Sequence, residues 1–211
     1  EKITPVLLYP VCGILLMGII MMFVIEPPVG ALNTALNTAL TNMGASSKIL
    51  LGIVCAGMMA IDMGGPFNKA AYVFGTMSIA NGNYDIMAAV MVGGMVPPIG
   101  IALATTFFKN RFSKSERQSG ITNYVMGLAF ITEGAIPYAA ADPIRVLPSC
   151  MIGSGVAGAL SMAFGCTLMA PHGGIFVVPV MGNAGMYLVA LAVGTVISAV
   201  LLGLLKKKVN E

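Results

Sequence analysis

Charged residues are scarce in this sequence, and one large aromatic residue is absent. Only 9% of the 211 residues are charged, 57% are hydrophobic, and tryptophan does not occur. Because a soluble domain typically carries about 25% charged residues, this chain cannot cover an ordinary water-exposed surface. Its 11 basic and 8 acidic residues leave no basic face for nucleic acid. The composition excludes a disordered chain and predicts an integral membrane protein.

Residues that bind metals or act in redox chemistry are also few. Histidine occurs once, and the four cysteines show no CxxC spacing. We therefore expect no metal site and no cofactor. The sequence has no Walker loop, dinucleotide fingerprint or Ser/His/Asp arrangement, so it carries no self-contained catalytic machinery. Each cysteine lies in an apolar run, which predicts a small buried hydrophobic residue: Cys12, Cys55, Cys150 and Cys166.

Four apolar runs are long enough to cross a bilayer as helices. At about 1.5 Å of rise per residue, each extends about 31 Å or more. The second run contains Pro97-Pro98, which predicts a kink or a discontinuous helix because two backbone donors are lost. The runs cover residues 5–25, 86–108, 146–168 and 184–205.

Three further apolar segments, residues 49–80, 119–140 and 170–181, are interrupted by glycine, proline and charge. This pattern predicts re-entrant or broken helices. The near-repeat NTALNTAL at 33–40 predicts a helix along the membrane interface. The basic loop at 109–117 and the lysines at 206–208 should both be cytoplasmic, which requires that the 119–140 and 170–181 segments do not cross.

Ionisable groups in the interrupted segments indicate a site, because each costs at least about 2.5–3.5 kcal/mol near a helix centre. A carboxylate, an imidazole and the amide of Asn68 would suit a hydroxylated solute such as a sugar. Two structural alternatives stay open. Asp142 and Arg145 could form an i,i+3 ion pair, and Asp62 could pair with Lys69 across the Gly-Gly-Pro turn. The candidates are Asp62, Lys69, Glu133, Asp142, Arg145 and His172.

Three separated motifs resemble a known family. GGPFNKAAYVFG at 64–75, GITNYVMGLAFITEGAIPYAAADP at 120–143 and APHGGIFV at 170–177 are similar to the fructose family of bacterial phosphotransferase-system permeases, the enzyme IIC component. The resemblance covers essentially the whole chain. It implies an all-α integral membrane protein with re-entrant segments, like the IIC proteins of the glucose superfamily. It also implies that residues 1–211 form one membrane domain, the C-terminal larger part of a IIC module, in the bacterial cytoplasmic membrane.

The resemblance further implies a function. Such a permease binds fructose or a related sugar, carries it across the bilayer and presents it to a phosphorylated cytoplasmic IIB domain, whose phosphocysteine is the donor. The family implies a homodimer. Glu133 of the ITE motif would hold sugar hydroxyls, and its carboxylate could act as the catalytic base. The expected sugar-binding residues are Glu133, His172, Asn68, Asp62, Thr132, Gly173 and Arg145.

Two other function classes stay open. An ion- or proton-coupled secondary transporter would use Asp62, Glu133 and Asp142 to bind cations or protons. A non-transporting membrane subunit would only assemble with a partner. Within the permease interpretation, fructose, a mannitol-like polyol or a glycosylated acid would all fit a cavity of these side chains.

Overall fold

The computed structural model describes residues 7–28, 31, 34, 38 and 45–209. Its contacts divide the chain into two units, residues 1–43 and 44–211, which are treated separately. Most of the NTALNTAL repeat lies outside the described residues.

In the first unit, helix α1 (Tyr9–Ile20) continues through a π-helical segment, Met21–Ile25. Its apolar side chains are exposed on every face. Cys12 is among the exposed residues, so the prediction that it is buried is wrong. The reason is that an apolar run marks contact with lipid as readily as contact with a protein core.

The second unit is built almost entirely of helices. Short 3₁₀ segments lie at Lys109–Arg111, Thr132–Ala135 and Gly174–Val180. Strands β1 (Thr167–Leu168) and β2 (Met181–Gly182) form one antiparallel pair. The helices are α2 (Ala45–Ile61), α3 (Pro66–Ala80), α4 (Asp85–Phe107), α5 (Lys114–Leu128), α6 (Ile136–Ala141), α7 (Pro143–Ala163) and α8 (Ala184–Leu205).

Four helices in the described residues are long and apolar enough to span a membrane: α1 with its extension to Pro28, α4, α7 and α8. They coincide with the four predicted runs, apart from a few residues at the ends. The multi-pass helical membrane architecture is therefore confirmed.

Helix α4 is the centre of the second unit. Every residue from Ile86 to Ala102 is buried, and α2, α3, α5, α7 and α8 all pack against it.

Of the two outcomes predicted at Pro97-Pro98, a kink or a discontinuous helix, the discontinuous helix is wrong, because α4 is one continuous helix. In such a helix the two prolines remove the amides that would bond the carbonyls of Gly93 and Gly94. The hydroxyl of Ser154 donates to the Gly93 carbonyl at 2.8 Å, and that of Thr132 donates to the Gly94 carbonyl at 2.9 Å. Hydroxyls from two other segments thus replace the missing backbone donors, a recurrent solution in membrane helices.

The same two glycines permit a close approach. A Cβ atom on Gly93 would lie 2.5 Å from the Cα atom of Ala56 on α2, and one on Gly94 would overlap the Phe130 ring. Larger residues here would push α2 and the segment after α5 away from α4.

Helices α2 and α3 form a re-entrant hairpin, as predicted. Near the start of α2, Lys48 pairs with Asp85 at the start of α4, with 3.2 Å between Nζ and Oδ2. Met59, near the end of α2, packs beside Gly94 in the middle of α4. The chain then turns, and α3 leads back to Asp85.

Helices α5 and α6 form a second hairpin that enters from the opposite end. The Tyr138 hydroxyl on α6 donates to the carbonyl of Glu116, in the first turn of α5, at 2.6 Å. The Glu116 carboxylate accepts a 3.0 Å bond from Lys206, just after α8. The basic loop and the C-terminal lysines therefore lie at one end of the spans, as their charge predicts.

We expect Ser154→Ala to destabilise the protein by about 1–3 kcal/mol, because the Gly93 carbonyl would be left buried and unpaired. The measurement is reversible unfolding in mixed detergent micelles. Ser149→Ala is the matched control: Ser149 is also fully buried on α7, but its acceptor, the Arg145 carbonyl, is within reach of a helical amide. Equal losses from both substitutions would contradict the explanation.

Candidate functional site

Each hairpin has a tip where the chain turns between its two helices, at residues 62–65 in the first hairpin and 129–135 in the second. The two tips meet beside the middle of α4. Thr132 contacts Gly94, the tenth residue of the 23-residue helix. At 1.5 Å per residue, this contact lies about 14 Å from the first residue of α4 and about 20 Å from the last. The tips are therefore near the middle of the bilayer, where polar groups mark sites and pathways.

A cavity of about 330 Å³ opens between these tips. This volume is at the lower end of the range of about 300–1,000 Å³ for small-molecule sites. A carboxylate, an ammonium, an amide and an imidazole share the cavity with two aromatic rings and a thioether. The lining residues are Met59, Asn68, Lys69, Tyr72, Phe130, Thr132, Glu133 and His172.

An ion pair joins the two hairpin tips across this cavity. Lys69 Nζ, from the first turn of α3, lies 3.4 Å from Glu133 Oε1, and the two side chains are 59% and 46% exposed. A pair this open is worth about 1 kcal/mol or less. A ligand that hydrogen-bonds the carboxylate can therefore replace the lysine. Lys69 does not pair with Asp62, the alternative that the sequence left open.

Asp62 positions the cavity wall instead of lining the cavity. Its Oδ2 accepts the amide of Phe67 at 2.7 Å and its Oδ1 accepts the amide of Asn68 at 3.0 Å. These amides are unpaired donors in the first turn of α3, where a negative charge also favours the helix dipole. The carboxylate thus fixes the turn that carries Asn68 and Lys69.

Asn68 and Thr132 line the cavity with part of their hydrogen-bonding capacity committed. The side-chain nitrogen of the buried Asn68 donates to the Met59 carbonyl at 2.8 Å. The side-chain oxygen of Asn68 is left as an acceptor for a ligand. The Thr132 hydroxyl uses its hydrogen on the Gly94 carbonyl, so toward a ligand it can only accept.

His172 reaches the cavity from the loop between α7 and α8. Its ring centroid lies 5.0 Å from that of Phe130 and 6.4 Å from that of Tyr72. Gly173 and Gly174 follow with φ of +129° and +57°. A Cβ atom on Gly174 would strike the Leu128 carbonyl. Gly173 therefore shapes the loop that presents His172 and does not itself line the cavity.

No protein-family model and no solved structure matches this chain. Among curated proteins, the fructose permease IIC component of Bacillus amyloliquefaciens is 54% identical over 211 residues, which cover 100% of this chain and 69% of that protein. The chain belongs to the fructose permease IIC family.

Longer relatives are similar as well. The PTS system fructose-specific EIIABC component of Bacillus subtilis (strain 168) is 52% identical over the whole chain. The corresponding EIIB'BC component of Escherichia coli (strain K12) is 44% identical over 98% of it. The IIC chain spans 33% and 37% of the lengths of these two relatives.

Arg145 lies outside the cavity of this IIC chain. Its guanidinium contacts the Asp142 carboxylate at 3.0 Å, with i,i+3 spacing at the start of α7. The ion-pair alternative is thus the one observed. Of the seven expected binding residues, Glu133, His172, Asn68 and Thr132 line the cavity, whereas Asp62, Gly173 and Arg145 do not.

The sequence did not indicate the aromatic wall. Tyr72 lies within an apolar helix and Phe130 within an apolar run, where such residues usually pack in a core. Phe130 has φ of +64°, which is rare outside glycine. This turn is visible only in three dimensions, and the Phe130 ring centroid lies 5.0 Å from that of His172 and 6.3 Å from that of Tyr72.

The cysteines of the second unit lie outside the cavity of this IIC chain. Cys55 and Cys150 are buried in helices, and Cys166 is buried in the loop after α7. Burial raises the pKa of the Cys166 thiol. Because the thiolate is the nucleophilic form, this environment opposes a phosphoryl-carrier role.

A larger groove, of about 620 Å³, runs between α2 and α7. Aliphatic side chains, methionines and glycine line it. It offers almost no hydrogen-bonding group, so the smaller cavity is the candidate site for a polar ligand.

We predict that Gly64→Ala distorts the site. Gly64 has φ of +121°, and a Cβ atom there would lie 2.9 Å from Glu133 Cγ. The backbone term alone costs about 1–3 kcal/mol. Gly82→Ala is the matched control, because Gly82 has φ of +77° with open space around it. Thermal unfolding in detergent should show a larger loss of stability for Gly64→Ala than for Gly82→Ala. Equal losses of stability would contradict the contact between position 64 and Glu133.

Proposed function

We propose that this chain is the sugar-binding and translocating part of a phosphotransferase-system fructose permease. The observation that carries the proposal is the mid-membrane cavity in which Glu133, Lys69, Asn68 and His172 converge. The relatives whose names describe fructose permeases support the choice of fructose or a fructose-like sugar.

The cavity groups complement a sugar. Glu133 accepts hydrogen bonds from hydroxyls, and the oxygens of Asn68 and Thr132 accept others. Lys69 and His172 donate to hydroxyl oxygens, while the rings of Tyr72 and Phe130 cover apolar C–H faces. Small-molecule sites generally combine an apolar wall with a few placed polar groups in this way.

Glu133 has a second proposed role, in phosphoryl transfer. The sugar hydroxyl attacks the phosphorus of a IIB phosphocysteine, the O–P bond forms, the S–P bond breaks and the cysteine thiolate leaves. Glu133 accepts the hydroxyl proton as a general base. The donor belongs to a IIB domain outside this chain, in agreement with the fused B components named in the longer relatives.

Lys69 is proposed to pair with the Glu133 carboxylate in the sugar-free cavity. Once the sugar takes over the carboxylate, the ammonium is released at the wall of the same cavity. There it can offset the negative charge of the transferring phosphoryl group, as cationic side chains do in other phosphoryl-transfer sites.

A coupled secondary transporter is the less favoured function. Asp62 spends both oxygens on backbone amides, Glu133 faces Lys69 and Asp142 faces Arg145. Asp62 and Asp142 are thus engaged outside the cavity, and at Glu133 the neighbouring ammonium of Lys69 would repel a second cation. Uptake that requires phosphoenolpyruvate would exclude this function, and uptake driven by a proton gradient would support it.

The wider assembly is also a proposal. We infer that residues 1–211 belong to one membrane domain of glucose-superfamily type, in the bacterial cytoplasmic membrane. We further infer that it works as a homodimer.

We expect Glu133→Gln to weaken binding of radiolabelled fructose to the purified full-length protein roughly 10- to 100-fold, because hydrogen bonds to a charged acceptor are lost. Equilibrium binding in detergent is the measurement. Asp85→Asn makes the same chemical change outside the cavity, at a carboxylate paired with Lys48, and should bind as wild type does. Unchanged binding by a folded Glu133→Gln protein would contradict the assignment.

A further inference from the structure

A basic cleft lies where α4 ends and α5 begins. It has a volume of about 530 Å³, and Lys109 and Arg117 also line an adjoining cavity of about 300 Å³. Helix α5 separates it from the sugar cavity by about 20 Å of helical rise. The cleft is lined by Thr105, Thr106, Lys109, Lys114, Arg117, Gln118 and Ile121.

Two of the basic residues that line this cleft, Lys109 and Arg117, have no acidic partner among the described residues. The guanidinium of Arg117 donates to the Lys109 carbonyl, at 3.4 Å. The neighbouring acid, Glu116, is committed to Lys206 and to the amide of Ser113. An anion from outside the chain would complement the cleft.

An apolar strip continues from the charged mouth. Ile121 and Val125 follow Arg117 at i+4 and i+8, on one face of α5, and are 68% and 70% exposed. Because α5 leads from the basic end towards the mid-membrane tip, this strip descends into the hydrocarbon region.

The combination of an anion-binding mouth and a descending apolar strip matches an amphiphile. A water-soluble domain could reach the mouth but not the strip, and a free phosphate would leave the strip unused. Basic pockets between membrane helices on the cytoplasmic side are known to hold anionic headgroups. We infer that this cleft binds an anionic phospholipid, with its phosphate at Lys109 and Arg117 and an acyl chain along Ile121 and Val125.

The test compares phosphatidylglycerol with phosphatidylcholine. The purified full-length protein is titrated with each dioleoyl lipid in detergent, and the retained lipid is counted by native mass spectrometry. Removing two cleft charges in Lys109→Gln/Arg117→Gln should weaken phosphatidylglycerol binding roughly 30-fold. The control, Lys207→Gln/Lys208→Gln, removes two exposed charges at the same membrane end and should bind as wild type does.

Further arms distinguish the possible occupants. Ile121→Ser should weaken binding of phosphatidylglycerol but not of glycerol 3-phosphate, which lacks acyl chains. Equal losses from both double variants would overturn the proposal in favour of general surface attraction. Glycerol 3-phosphate binding as tightly as the lipid would overturn it in favour of a free-phosphate site. Unchanged lipid binding with lost binding of a purified IIB domain would overturn it in favour of protein docking.

Discussion

Two backbone carbonyls in the middle of the buried helix α4 have no amide partner within that helix, and the rest of the second unit depends on how they are satisfied. Pro97 and Pro98 leave the carbonyls of Gly93 and Gly94 without helical donors, and the hydrocarbon core supplies no water to replace them. A buried polar group without a partner costs about 1–3 kcal/mol. Ser154 and Thr132 satisfy the two carbonyls, and by doing so they fix α7 and the tip of the second hairpin against α4.

The polar cavity follows from this anchoring. Thr132 is held at mid-membrane, so the next residue, Glu133, lies at the same depth and faces Lys69 from the opposite hairpin. Asp62 acts similarly on the other side, where it secures the first turn of α3. Glu133, Asn68 and Lys69 are therefore positioned by neighbours, Thr132 and Asp62, whose polar atoms bond backbone groups. Because the positioning bonds are made by these neighbours, the groups that face the cavity can exchange partners when a ligand enters.

Much of this arrangement was predictable because it depends on local patterns. Span length, interrupted helices and the grouping of Glu133, His172 and Asn68 follow from hydropathy and from the family motifs. The uninterrupted course of α4 was not predictable, since it depends on donors 38 and 61 residues away in the chain. The role of Asp62 was not predictable either. In a sequence, a carboxylate beside a glycine turn has the same pattern whether it accepts the first amides of a helix or binds a ligand. The exposed face around Cys12 could not be distinguished from a packed one, because lipid and protein core select the same residues.

The most direct test of the carbonyl account is a double-mutant cycle between Thr132→Val and Pro98→Ala, with the free energy of unfolding measured in mixed micelles. Thr132→Val removes the hydroxyl with little change of shape, and Pro98→Ala returns a backbone amide to the Gly94 carbonyl. The account predicts that Thr132→Val costs about 1–3 kcal/mol in the wild-type background and much less when Ala occupies position 98. The same cost in both backgrounds would contradict it.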